Sequence, residues 1–343
     1  MKMHKLRRLM SVPLTQIILF AALMTALQLL SMAGLIPNSF TYAIGSTLIY
    51  AIVAIGFCLL LGYSGLASLG TAGFIGVGAY AAYYAMEGFG MPYIAALAVT
   101  LAVSVAIGVA VGFISLRVEG LYLAILTLGL SEILRNLLMA VQATIKIDIS
   151  NARLFGVQLN DSGAYMLVLV TFSLLVWLTS NLIDSPTGRA MLAMKNSTSA
   201  AQAMGVSLMK HRLLAFVIST VFAAIGGLLY MMYVRVMTTS VSTLLTMTTS
   251  LNILGAVIIG GAKSLWGTTL GAFIVYGIQS MFLSKIPFFQ KNPAFITMLT
   301  GLLIVVVVMF FPGGLTQFLS GIKAKLQRSF RKVREDIYGK DLG

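Results

Sequence analysis

Apolar runs close to the length of a membrane-crossing helix recur along this chain, and that recurrence constrains the fold more than any motif. A helix needs about 20 apolar residues to cross a bilayer. Such runs extend over Leu14 to Ala33, Ile44 to Leu61, Ala67 to Met86, Pro92 to Leu116, Leu121 to Val141, Ala164 to Leu182, Leu213 to Tyr233, Met247 to Gly261, Thr268 to Leu283 and Pro293 to Phe311. Composition agrees: 59% of residues are hydrophobic and 9% charged, with mean hydropathy +0.98, whereas an ordinary globular domain carries roughly 25% charge. The expected fold is an all-α polytopic membrane protein of about eight to ten transmembrane helices. The second and third runs are so close that they form either a hairpin or one broken helix.

The net charge of +14 raises nucleic acid as a partner, and the placement of the charge tests that idea. An even number of spans puts both termini on one side. On that side fall Lys2, Lys5, Arg7, Arg8, Arg117, Arg189, Lys195, Lys210, Arg212, Lys263 and seven basic residues of the tail, 17 of the 23 in all. The other six are Arg135, Lys146, Arg153, Arg235, Lys285 and Lys291. The positive-inside rule then makes both termini cytoplasmic. The division is a basic cytoplasmic segment 1–13, a membrane domain 14–315 and a basic tail 316–343. The tail reads as solvated or bound to lipid headgroups, with no nucleic acid. A signal peptide is a rival reading of the N-terminus, but its apolar stretch exceeds a usual signal core.

Chemistry has few residues to build on. Cys58 is the single cysteine and lies in a span, and His4 and His211 both lie in basic cytoplasmic segments, so neither a disulfide, a metal centre nor a catalytic group is expected. "GAVIIGGAKS" at Gly255 to Ser264 resembles a phosphate loop, yet Gly261 and Ala262 separate its second glycine from the lysine. The chain therefore has no ATP-hydrolysing site of its own. An ion-coupled carrier should leave ionisable residues in its spans, and one span clearly has them: Glu132 and Arg135, three apart on one helix face. That spacing fits a structural ion pair or an arginine reaching to the interface.

Two local patterns stand out. The longest cytoplasmic loop, 183–212, reads "DSPTGRAMLAMKNSTSAAQAMGVSLMKHR" from Asp184. Ser197, Thr198 or Ser199 is placed to cap a short helix through Ala200 to Met204, and Gly205 to end it in a left-handed conformation. Such a helix either docks in a partner's groove or lies at the interface as a plain connector. The second pattern is "GYSGLASLGTAGFIGVGAYAAYY" at Gly62 to Tyr84. Ser64, Ser68, Ala72 and Gly76 are spaced to form one smooth helix face, and Gly62 and Gly65 to mark a reversal or break at the cytoplasmic side.

These segments together resemble the LivM-type permease subunits of branched-chain amino acid ABC importers. The resemblance runs through Gly62, Ser64, Gly65, Leu69, Gly70, Phe74, Gly78, Ala79 and Tyr80; then Leu116, Arg117, Gly120, Tyr122, Ala124, Thr127, Leu128, Glu132 and Arg135. It continues through Ser185, Pro186, Gly188, Arg189, Ala190, Ala200, Ala203 and Gly205, and through Gly260, Gly261, Ser264, Gly267, Gly271, Ala272, Pro312, Gly314 and Leu315. It implies the ABC importer permease fold in a bacterial inner membrane. The partners it implies are a LivH-type second permease subunit, two cytosolic ATPase subunits that use the ATP, and a periplasmic substrate-binding protein. It also makes loop 183–212 the coupling element, with Gly188, Arg189, Ala200, Ala201, Gln202 and Gly205 facing that task. Ser64, Ser68, Phe74, Tyr80, Thr127, Glu132 and Ser250 become candidates for the substrate path. Three departures stand out: "VQATIKIDISNARLFG" lacks the family's external glycine element, Asn196 and Thr198 replace usual acidic residues, and Lys263 replaces a glycine. Importers of amides or urea, and an ion-coupled carrier or channel for a small polar solute, are the alternatives.

Overall fold

The computed structural model describes residues 13–316 apart from 119, 143, 147–152, 155–156, 159, 239–242, 292 and 311–313. The basic segment 1–12, Pro312 and the tail 317–343 lie outside the described residues.

The chain is a helical bundle built around one helix. α1 (Pro13–Met32) leads to α2 (Asn38–Cys58), which continues through a π-helical turn at Leu59–Tyr63. α2 is apolar all round, and 83% of its most apolar stretch is buried, against 22% for α1. A helix with no polar face has no solvent to turn toward, so it takes the centre. α3 (Thr71–Tyr83) and a second π turn (Tyr84–Gly88) follow, then α4 (Tyr93–Ser115) and α5 (Leu121–Val141). α4 and α5 are peripheral, 22% and 17% buried by the same measure. Next come α6 (Asp161–Asp184), α7 (Pro186–Asn196), α8 (Thr198–Ala203) and α9 (Leu208–Val234). α10 (Met247–Gly260) precedes α11 (Leu265–Ala272), a third π turn (Phe273–Gly277) and α12 (Ile278–Met281); α13 (Pro287–Lys291) and α14 (Pro293–Phe310) end the described fold.

Six of these helices are long and apolar enough to cross a membrane, and Met247–Gly260 and Phe295–Val307 are shorter apolar helices. Each of the ten expected apolar runs lies largely on helix. The second and third runs are two helices parted by a non-helical break at 64–70. Ser64 and Ser68 therefore precede α3 and do not share its face with Ala72 and Gly76, as the regular spacing predicted. The structure also departs from an all-α chain in two short antiparallel ribbons. β1 (Thr144–Lys146) pairs with β4 (Val236–Thr238), placing Ile145 opposite Met237, and β2 (Arg153–Leu154) pairs with β3 (Val157–Gln158). Ile145 and Met237 are both buried, so the first ribbon is seated on the bundle between the ends of α5 and α9.

Small residues let the central helices touch backbone to backbone. A Cβ added at Gly78 of α3 would fall on the Ala224 carbonyl oxygen of α9, and one at Gly227 of α9 on the Ile75 oxygen of α3. Lipid tails are as apolar as the helices themselves, so close van der Waals packing of this kind supplies much of the association in a membrane.

Candidate functional site

Three of the hydroxyls named as path candidates, those of Ser68, Thr127 and Ser250, meet at the start of α3. A helix leaves its first N–H groups without intrahelical partners, and here Gly70 stands at the cap position with no side chain to help. Neighbouring helices supply the acceptors: Ser250 Oγ of α10 takes the Ala72 N–H at 3.0 Å, and Ser131 Oγ of α5 takes the Gly73 N–H at 2.8 Å. Thr127 Oγ1 accepts from the Leu69 N–H at 3.0 Å while donating to Leu123 O at 2.9 Å. Ser68 Oγ accepts from Gly70 N at 3.4 Å, and Ser64 Oγ donates to Leu60 O at 2.5 Å. Phe74 is buried edge-on against Phe216, with centroids 5.8 Å apart. Tyr80 is buried and donates its hydroxyl to Gln142 O. The structure thus gathers Ser68, Thr127 and Ser250 around one helix start and leaves Tyr80 and Glu132 apart from them. Replacing both Ser131 and Ser250 by alanine leaves two N–H groups unmet, at about 1–3 kcal/mol each. The expected result is a clear drop in the thermal midpoint in detergent; an unchanged midpoint would rule out this account of the hydroxyls.

Glu132 lies elsewhere. It is the twelfth residue of the 21 in α5, half-exposed, and bonds to Arg135 with Oε1 to Nη2 at 2.6 Å. Asn136 joins them by donating to Glu132 O at 2.9 Å. This polar cluster sits midway along the outer face of a peripheral helix.

The loop after α6 folds as its residues dictate. Ser185 Oγ accepts from the Gly188 N–H at 3.3 Å and Pro186 fills the first turn of α7. Ser197 Oγ then accepts from the Ala200 N–H at 3.3 Å and caps α8. Gly205 follows with φ +83°, the left-handed turn expected there. The loop residues divide by direction. Gly188 is buried where any Cβ would strike the carbonyls of Leu182 and Ile183. Arg189 Nη1 donates to Asp184 O at 2.7 Å, and Ala201 is buried. Ala200 and Gln202 are exposed, as is Met204, at 85%.

Sequence reasoning gave no role to Lys195 of α7. Its Nζ donates to Gly62 O at 2.7 Å and Leu61 O at 3.1 Å, gripping the carbonyls at the end of the α2 π turn. Burial, and then the charge of Lys263, pull its ammonium below the ordinary lysine range. Gly65, with φ +76°, lies against the lysine's Cγ. Tyr63 donates to Lys263 O at 3.0 Å, so α2, α7 and the turn after α10 meet at one point. That turn is the phosphate-loop lookalike; its Ser264 Oγ takes the Gly267 N–H at 3.1 Å and caps α11. The signal for Lys195 was weak, because its acceptors are main-chain carbonyls.

Two further cavities open on the bundle. One of about 470 Å3 is an apolar cleft between α3, α4 and α5, lined by Tyr80, Tyr84, Val103 and Leu138. The other, of about 1090 Å3, lies at the Asp161 end and is polar: Gln28, Ser31, Asn38, Tyr42, Asp161 and Arg235 line it. Arg235 is the one non-glycine residue at positive φ among those described, at +68°, and its Nη2 bonds to Asp161 Oδ1 at 2.6 Å.

The sequence that builds this bundle and its short capped helix pair matches a known family. The profile described as "Branched-chain amino acid transport system / permease component" fits residues 39–308. The chain belongs to that family. It is also similar to the high-affinity branched-chain amino acid transport system permease protein LivM of Salmonella typhimurium, 29% identical over 213 residues, and to LivM of Escherichia coli, 28% identical over the same length. Each match covers 54% of this chain and 50% of the relative, so the matched region spans about half the length of either LivM protein. No solved structure matches the chain. As a permease-family member with several apolar helices, it is a multi-pass membrane protein.

Proposed function

We propose that this chain is one membrane half of an ATP-driven importer in a bacterial inner membrane, moving branched-chain or related hydrophobic amino acids by alternating access. It spans the bilayer about ten times with both termini cytoplasmic. A LivH-type subunit completes the path, two cytosolic ATPases bind and hydrolyse the ATP, and a periplasmic binding protein delivers the substrate. The Lys195 grip carries the reading: it ties the helix pair α7–α8 to the break between α2 and α3. A displacement of the loop by an ATPase therefore reaches the bundle's central helix directly. The exposed Met204 and Gln202 offer an ATPase groove something to hold.

The Glu132–Arg135 cluster supports a second membrane subunit. Charged groups at mid-membrane face protein or a water-filled path and avoid lipid, and the exposed face of α5 needs such a covering. Replacing both residues by leucine leaves the isolated chain as stable as before or more so, because the paired charges gain little over apolar contacts. The same double change weakens co-purification with the second subunit. A double variant that lost stability while still assembling normally would oppose this assignment.

Gly205→Val places a β-branched residue at φ +83°, a conformation costing about 1–2 kcal/mol, in open space with nothing to clash. The membrane domain folds normally, while uptake falls relative to ATP hydrolysis. Unimpaired coupling in that variant would remove the loop's assigned role. The decisive experiment is reconstitution with the ATPases, the second subunit and the binding protein, followed by measurement of leucine uptake. Uptake that persists without ATP overturns the importer reading and favours an ion-coupled carrier.

A further inference from the structure

We propose that the cavity at the Asp161 end binds a small zwitterion of the α-amino acid type, with Arg235 holding its carboxylate, Asp161 its ammonium, and Gln28 adding an acceptor. The inference rests on the importer reading only for the ligand's route through the complex.

The charges at the cavity favour a zwitterion over a ligand of one sign. Both signs of charge stand at the cavity: the Arg235–Asp161 pair at 2.6 Å, and Lys285 beyond it. A simple anion would meet Asp161, and a simple cation would meet Arg235 and Lys285. A neutral amide brings no charge to exchange against the existing ion pair. A zwitterion brings both charges and can insert into the pair, since each of its groups replaces the contact that the other residue loses. The two partners are built unequally for this. The Arg235 side chain is 23% exposed, whereas that of Asp161 is 91% exposed. The guanidinium is thus the fixed anchor and the carboxylate the arm that turns.

Gln28 is the independent sign that something polar is missing. It lines the cavity, is 6% exposed, and its Oε1 is buried with no hydrogen-bond partner among the described residues. Buried carbonyls are normally satisfied, and the exceptions call for a partner. Turning the terminal amide toward the cavity offers that acceptor to an ammonium. The wall beside the ion pair is formed by Tyr42 and Tyr233, stacked with centroids 4.8 Å apart, and Tyr233 is tethered by its hydroxyl to Thr41 O at 3.4 Å. The two rings offer an aliphatic side chain an apolar contact beside the ion pair.

The test uses the full chain in nanodiscs and saturation-transfer NMR, which reads weak binding, with L-leucine and acetamide as probes and empty nanodiscs as the control. Leucine gives a saturable signal that acetamide does not displace. Gln28→Leu and Arg235→Gly each weaken leucine binding about tenfold or more, the effect of one charge-assisted hydrogen bond. Glycine is the chosen replacement because it accepts the positive φ at 235 without strain. No leucine signal above the control, equal binding by both variants, or displacement by acetamide overturns the proposal. Parallel uptake assays separate it from the importer reading. ATP-driven leucine uptake at full rate in both variants removes this site and leaves the importer standing. Uptake indifferent to ATP, with leucine binding lost in both variants, does the reverse.

Discussion

Valine at Gly227 or at Gly78 prevents recovery of a folded chain. At each position the first side-chain carbon falls on a main-chain oxygen of the facing helix, Ile75 O for Gly227 and Ala224 O for Gly78. A side chain can change rotamer to make room, but a helical carbonyl cannot. α3 and α9 must therefore separate, and both are mostly buried helices at the heart of the bundle. Overpacking a core commonly costs about 1–3 kcal/mol and sometimes more; here the loss spreads along the whole α3–α9 contact. The expected observation is loss of the monodisperse peak in detergent and a steep fall in thermal midpoint, already visible with alanine. Gly129 is the control. It lies on the exposed side of α5, where an added Cβ would meet nothing within 4 Å, so Gly129→Ala is tolerated. Wild-type stability in Gly227→Ala would refute the packing account.

In the importer proposed above, Lys195→Met is expected to separate ATP hydrolysis from uptake. Methionine keeps most of the apolar stem and removes the ammonium, so the carbonyls of Leu61 and Gly62 lose the donor they share. A hydrogen bond to a charged group contributes about 1.5–3 kcal/mol. Burial of the lysine takes back part of that, as the lowered proton affinity of its ammonium indicates. The net loss is modest for a bundle of this size, so the chain still folds. It is large for a link between two moving parts: uptake falls about tenfold or more, as a loss of some 1.4 kcal/mol in coupling requires, while ATP hydrolysis in the assembled complex stays within about twofold of wild type. Lys195→Arg restores part of the uptake, limited by the tight approach of Gly65 to the stem. Equal losses of hydrolysis and uptake in Lys195→Met would point to failed assembly and discard the clamp.

Much of the fold was legible because it is local. Apolar runs mark helices, Ser197 and Gly205 bracket α8, and Glu132 and Arg135 meet at the spacing that one helix face allows. The break at 64–70 shows where local reading ends. Ser64 and Ser68 continue the spacing of Ala72 and Gly76, but α3 begins only at Thr71, where Ser131 and Ser250 from distant helices satisfy its first N–H groups. Such caps are invisible in a linear reading, since the residue at the cap position is a glycine. The polar cavity is hidden for the same reason. Gln28, Asp161 and Arg235 are far apart in sequence and share no motif. Arg235 read simply as one more positive charge on the outer side; only the fold gives it a left-handed backbone and a partner 74 residues away.

The burial of α2 has a consequence for where a solute can travel. The middle of this bundle is occupied by a helix whose Leu48, Ile52, Ile55 and Phe57 are completely enclosed. The small void beside Phe74 and Phe216 measures about 10 Å3, barely one water's worth. A solid axle of this kind gives the chain a rigid spine and leaves no channel beside α2 through the described residues.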